Sequence, residues 1–115
     1  MKVLVCGSRS WRDSKAIKDR LSLLPIDSTI ISGAARGADT IASAVAREIG
    51  LEVEEFPAQW EKFGRSAGFR RNLVMLDEKP DLVIAFHQMN SPGTAHTIEQ
   101  ARRRRIPVEI ITGRS

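Results

Sequence analysis

The stretch Gly33-Ala-Ala-Arg-Gly-Ala-Asp39 joins small residues, a guanidinium and a carboxylate in one short segment. It follows the β-branched run Thr29-Ile-Ile31 and opens a strongly periodic segment. Small residues let a ligand approach the backbone closely. The N–H groups of a helix start attract an anion, and Arg36 adds a positive charge there. These are the means by which an α/β protein holds a phosphate. The same residues also suit a plain strand–helix turn, with Asp39 only a first-turn carboxylate at the positive end of the helix dipole. No Gly-Lys-Ser/Thr follows, so the segment is not a Walker A loop.

Three other clusters carry similar chemistry: Gly7-Ser-Arg-Ser-Trp11, Gly68-Phe-Arg-Arg-Asn72 and Asn90-Ser-Pro-Gly-Thr-Ala-His96. Arg9 and Arg36 are candidates for bidentate contact with phosphate oxygens, or else solvated surface charges. The hydroxyls of Ser8 and Ser32 could donate to a phosphate or cap their own loops. Gly93 and Thr94 open a second helix, hence a second anion-binding terminus. Arg71 would reach a ligand from a helix; Asn72 would bond a ribose, orient Arg71 or cap the backbone. Asp39 could position a ribose hydroxyl or organise Arg36.

Trp11 and Trp60 both fall in predicted loops, where either could stack on a base. Trp60 equally suits a loop anchor packed on the following helix, and Phe86 reads as core. His87 and His96 fall near one strand end, but no third residue sits at ligand spacing, so no metal site is expected. His96 could bond a ligand or serve as a general acid–base group. Cys6 reads as a buried small hydrophobe. Arg102-Arg-Arg-Arg105 complements the negative end of its helix. A nucleic-acid footprint would need a broader basic face interleaved with aromatics.

Alternating strands and helices must position these clusters. Lys2–Cys6 reads as a strand and Asp13–Leu24 as a helix with Ile17, Leu21 and Leu24 on one face. Thr29–Ser32 is the next strand. Ala38–Ile49 is a helix with apolar residues at 38, 41, 42, 45, 46 and 49, closed by Gly50. Glu52–Phe56 is a glutamate-rich strand suited to a sheet edge. A loop over Pro57–Ser66 leads to a helix over Ala67–Asp77 that buries Phe69, Leu73 and Leu76. Leu82–Phe86, a helix over Gly93–Arg105 and a strand over Val108–Ile111 complete the chain. This order predicts a three-layer α/β/α Rossmann-like sandwich on a five-stranded parallel sheet. With strand order 3-2-1-4-5, the ligand crevice lies beyond the carboxyl ends of strands one and four, between Gly7–Arg12 and His87–Thr94.

At 115 residues the chain reads as one domain spanning 1–115, with 42% hydrophobic and 28% charged residues as in soluble globular proteins. No apolar run approaches a membrane span of about 20 residues. Met1–Val5 reads as a first strand rather than a signal peptide. The single cysteine excludes an intramolecular disulfide and fits a reducing cytoplasm. A net charge of +4 favours anionic ligands without choosing among them.

The four clusters in order, with Phe56-Pro-Ala-Gln-Trp60 between, resemble the SLOG superfamily, Rossmann-like nucleotide-binding proteins that include the LOG enzymes and DprA. The small YspA-like, YpsA-related branch is the nearest match, over nearly the whole chain. In the LOG enzymes an Arg four residues before a Met lies on the third helix, and Arg71 and Met75 reproduce that spacing. Gly93-Thr94 matches their phosphate-binding turn. Those enzymes carry a Glu three residues after the Thr that assists N-glycosidic cleavage; here that position is Thr97. Glu99 lies about 200° further round an ideal helix and should face elsewhere. The resemblance therefore implies nucleotide binding and leaves phosphoribohydrolase activity without its carboxylate.

The implied ligand residues are Gly7, Ser8, Arg9, Ser32, Gly33, Arg36, Gly37, Asp39, Arg71, Asn72, Ser91, Gly93, Thr94 and His96. No cofactor, metal or membrane partner is expected, and the family suggests a homodimer. The leading expectation is a cytoplasmic module that binds a nucleotide or nucleotide-derived ligand as a sensor or signalling component. The alternatives are a nucleotide-processing N-glycosidase and a single-strand DNA-binding protein.

Overall fold

The computed structural model describes residues 1–88 and 91–112, so Asn90 of the fourth cluster lies outside the described residues. The elements are β1 (Lys2–Gly7), α1 (Ser14–Leu21), β2 (Thr29–Ser32), α2 (Ala38–Glu48), β3 (Glu52–Glu55), α3 (Trp60–Phe63), α4 (Ala67–Asp77), β4 (Leu82–His87), α5 (Pro92–Arg103) and β5 (Val108–Thr112), with a 3₁₀ turn at Gly64–Ser66. All strand pairings are parallel, in the order β3-β2-β1-β4-β5. Val5 of β1 lies beside Ser32 of β2 and Ile84 of β4, which sets the strand ends level.

The period of two along β1 divides the core into two layers. Val3 and Val5 face α1 and α2, packing with Ile17, Leu21, Ala42 and Val45. Leu4 and Cys6 face α4 and α5, packing with Met75, Leu76, Ile98 and Ala101. Burying each large aliphatic side chain contributes about 1.5–3 kcal/mol, so both faces of the sheet are strongly held. Asp13 caps α1 by accepting the Ala16 N–H at 3.0 Å. The Arg20–Glu109 pair, at 2.5 Å, ties α1 to the edge strand β5. On the opposite edge, exposed Glu52, Glu54 and Glu55 of β3 discourage pairing with another chain.

Three details depart from the sequence expectation. The Pro57–Ser66 segment is not a plain loop: it winds into α3 and the 3₁₀ turn. Leu76 is buried as expected and Leu73 half-buried, but Phe69 is 45% exposed, and Ala67, Asn72 and Met75 complete the buried face of α4. The helix is rotated to bring Asn72 against α5, and Phe69 then packs on His96 with ring centroids 4.5 Å apart. Trp11 is 2% exposed and meets Phe86 edge-on at 5.3 Å, while its indole N–H donates to the Asp13 carbonyl at 2.9 Å. Its ring is committed to the core and is not open to a base.

Candidate functional site

With β1 and β4 adjacent at the centre, the chain winds outward in both directions from them. The loops leaving their carboxyl ends therefore diverge and leave a crevice. A cleft of about 470 Å³ lies there, within the range of small-molecule sites. The turn after β1 supplies Gly7, Ser8 and Arg9, and the turn after β2 supplies Ala35 and Asp39. Arg71 and Asn72 enter from α4, and Ser91, Gly93 and Thr94 from the start of α5.

Close backbone approach builds the β1–β2 side. Gly37 has φ +77°, and a Cβ there would lie 2.4 Å from the carbonyl oxygens of both Ser8 and Arg9. Only glycine fits this crossing. The first turn of α2 is tied to the chain itself: the Ala38 N–H donates to the Ser8 carbonyl at 3.2 Å and the Thr40 N–H to Ala35 at 3.1 Å. Arg36 is exposed on the turn before it and does not line the cleft. Ser32 is buried, its hydroxyl accepting the Ala34 N–H and donating to the Asp39 carbonyl, each at 3.3 Å. Asp39 turns inward, where its Oδ2 accepts the Ala35 N–H at 3.2 Å.

Across the cleft, Arg71 is fixed by acceptors from three segments. Its Nη1 donates to the Gly33 carbonyl and, at 3.5 Å, to that of Phe56; its Nε donates to Asn72 Oδ1 at 3.1 Å. Gly33 lies directly beneath the guanidinium, where a Cβ would come within 2.5 Å of Nη1. Asn72 in turn donates to the Gly93 carbonyl at 3.3 Å and lies 3.3 Å from His96 Nδ1, joining α4 to α5. His96 stands behind Asn72 and does not line the cleft. On the remaining side, the Ser8 hydroxyl accepts the Gln88 N–H at 2.7 Å and bonds the Ser91 hydroxyl, linking the two diverging loops.

The cleft thus unites Gly7, Ser8, Arg9, Asp39, Arg71, Asn72, Ser91, Gly93 and Thr94. Ser32, Gly33, Gly37 and His96 act behind its wall, and Arg36 stands apart. Lining residues outside the implied ligand set include Phe69, Met75 and Thr97, which the sequence marked only as core or motif positions, and Arg65, which it did not mark at all. Phe69 lies inside the Gly68–Asn72 cluster, which was its one local signal of a role in the site. Nothing in the pattern marks Arg65, because the 3₁₀ turn that carries it was read as loop. Trp60, 49% exposed, lines the cleft beside Gly68.

Burial dominates the electrostatics. Desolvation pushes the Asp39 carboxyl up from 3.8 to about 6, against the Ala35 N–H and the charge of Arg71, which favour ionisation. Burial also pulls Arg71 down, opposed by Asp39, and pulls the His96 imidazole down, opposed by Glu99. The Cys6 thiol is pushed upward by burial and then by Asp39, and is unreactive as a nucleophile. Thr97 lines the cleft wall, and its hydroxyl donates back to the Gly93 carbonyl at 3.2 Å. Glu99 faces away and pairs with Arg103 at 2.7 Å.

Among the described residues no group of three or more His, Cys, Asp or Glu side chains could hold a metal ion, and no helix is long and apolar enough to cross a membrane.

Comparison with solved structures gives DNA processing protein A (DprA) from Streptococcus pneumoniae, with a TM-score of 0.83 and 22% identity. The likeness covers 98% of this chain and 50% of that one, so the chain spans half the length of that protein and shares its fold over that half. Among curated sequences, the Gene 61 protein of Mycobacterium phage D29 is 38% identical over 116 residues, covering 93% of each chain. The family model for the YspA, cpYpsA-related SLOG family matches residues 1–63, which include β1, β2 and the Gly33–Asp39 turn. Over half of the chain carries that match, and the chain belongs to the YspA, cpYpsA-related SLOG family.

Proposed function

We propose that the chain binds a nucleotide or nucleotide-derived small molecule at the carboxyl ends of its strands, as one domain that serves as a sensor or signalling module in the cytoplasm. One observation carries this reading. Arg71, the first turn of α5 and two half-exposed aromatic rings, Trp60 and Phe69, all line a single cleft. A guanidinium and a helix start suit a phosphate; an aromatic rim suits a base. The family's nucleotide-binding character agrees with it and favours a homodimer.

The test is calorimetric titration with ribonucleoside mono- and diphosphates. Charge-assisted hydrogen bonds contribute about 1.5–3 kcal/mol each, so Arg71→Lys, which keeps the charge but loses the guanidinium and the Gly33, Phe56 and Asn72 contacts that hold it at the cleft, should weaken binding about 10-fold or more. Arg104→Ala should leave it unchanged, because Arg104 pairs with Asp77 at 2.6 Å away from the cleft. Equal loss in both variants would mean diffuse attraction rather than a built phosphate site.

A second reading, hydrolysis of the ligand's N-glycosidic bond, draws on the Asp39 carboxyl, whose pKa near 6 suits general acid–base work in the cleft. Release of free base would favour it over simple binding. Single-strand DNA binding is the less favoured alternative. In the basic run that suggested it, Arg103 and Arg104 are engaged by Glu99 and Asp77.

A further inference from the structure

Among the described residues that line the cleft, one buried side-chain polar atom is left unsatisfied. Asp39 is 5% exposed and lines the cleft. Its Oδ2 accepts the Ala35 N–H and the Gly33 N–H also favours the ionised carboxylate, whereas Oδ1 is buried and no described residue meets it at hydrogen-bond geometry. A buried carboxylate oxygen in that condition is unfavourable until a donor reaches it.

The surroundings select the kind of donor. Arg71 and Arg9 lie close enough to favour the ionised carboxylate, yet neither forms an ion pair with it. A cationic ligand group approaching Asp39 would meet both guanidiniums, so the fitting donor is neutral. Arg71 and the first turn of α5 call for an anion in the same cleft, and the Trp60 and Phe69 rings call for a flat aromatic group. A molecule that carries an anion, neutral hydroxyls and an aromatic base within one cleft's length is a ribonucleotide. The carboxylate need not shift far to meet it. Its torsion is broad and two-fold, so a small turn presents one oxygen to the cleft while the other keeps the Ala35 N–H.

We propose that Asp39 is the sugar-selecting residue of the cleft: its carboxylate accepts a hydrogen bond from a ribose hydroxyl, so the cleft takes ribonucleotides in preference to their deoxy counterparts. This rests on the nucleotide reading above and adds the sugar to it. The anion and base contacts come from other residues, so an error about Asp39 leaves that reading standing.

The experiment is titration of the full chain with the common ribonucleoside mono- and diphosphates, then with the 2′-deoxy and 3′-deoxy forms of the tightest binder. At least one deoxy form should bind about 10-fold or more weakly, the size of a lost hydrogen bond to a charged group. In Asp39→Asn, which keeps an oxygen for the Ala35 N–H, that ratio should fall toward one. Equal affinity of the wild type for all three sugars overturns the proposal without the variant being needed. A wild-type preference that persists in a folded Asp39→Asn protein overturns it as well. Absence of binding by every nucleotide overturns the nucleotide reading itself, and the sugar selection with it.

Discussion

Replacing Asp39 by Asn should make the protein more stable at neutral pH, by an amount that grows with pH in a defined window. The carboxyl rises from 3.8 to about 6 on folding, first because burial disfavours its charge. Each unit corresponds to about 1.36 kcal/mol, so ionised Asp39 costs roughly 3 kcal/mol of stability at pH 7. The sign follows from the proton balance. Between the unfolded and folded values the native state holds the proton and the unfolded state has lost it, so this group's contribution falls as pH rises through that interval. The cost is nearly absent below the unfolded value and fully present above about pH 6. Arg71 and Arg9 on the cleft side, and Cys6 beneath, are the groups coupled to Asp39. Burial pushes the Cys6 thiol further up, away from this window, so the profile belongs to Asp39. Urea unfolding of wild type and Asp39→Asn from about pH 4 to pH 8 measures the difference. Any fixed cost of the buried amide shifts the whole curve; only the carboxylate gives it slope. A stability difference that is flat over that range would refute the burial argument. A difference that shrinks as pH rises would show that Asp39 is ionised by a partner in the folded state. If the gain is found, it marks Asp39 as a residue kept at the expense of stability, as expected of a ligand-contacting group.

Two further outcomes follow from the geometry. Trp11→Ala should destabilise the fold by about 3–5 kcal/mol, because the indole is fully packed on Phe86 and bonded to the Asp13 carbonyl. A loss below about 1 kcal/mol in urea unfolding would mean that the ring is not committed to the core. With Thr97 in place of a glutamate, nucleoside monophosphates should yield little free base. A missing general acid–base group typically lowers a rate about 10²–10⁴-fold; chromatography that detects base release at an enzyme-like rate would refute this, and its loss in Asp39→Asn would assign the work to Asp39.

Much of the architecture is local and therefore legible in sequence. The apolar runs at Lys2–Gly7 and Leu82–His87 sit on both faces of a buried strand and can do little else. The apolar positions from Ala38 to Ile49 repeat at helical spacing, and Gly50, at φ +88°, ends the helix where a left-handed residue is needed. Alternation of such elements limits the chain to few parallel topologies, and the order β3-β2-β1-β4-β5 is one of them. That order alone directs attention to the carboxyl ends of β1 and β4, where the cleft lies.

What the sequence leaves open is the direction in which each turn residue points. Arg36 reads as a phosphate ligand and Arg71 as a ligand contact from its helix, but of these two Arg71 lines the cleft, because carbonyls from Gly33 and Phe56 and the side chain of Asn72 hold it there. The start of α2 reads as an anion site, yet the Ala38 N–H is drawn to the Ser8 carbonyl. Trp11 reads as an open ring and is instead sealed against Phe86, which lies on β4, far away in sequence. In each case the deciding partner lies on another strand or helix. Backbone propensity and hydrophobic period are properties of neighbouring residues along the chain. The orientation of a turn side chain is set by acceptors and packing surfaces that meet it only after the sheet has formed.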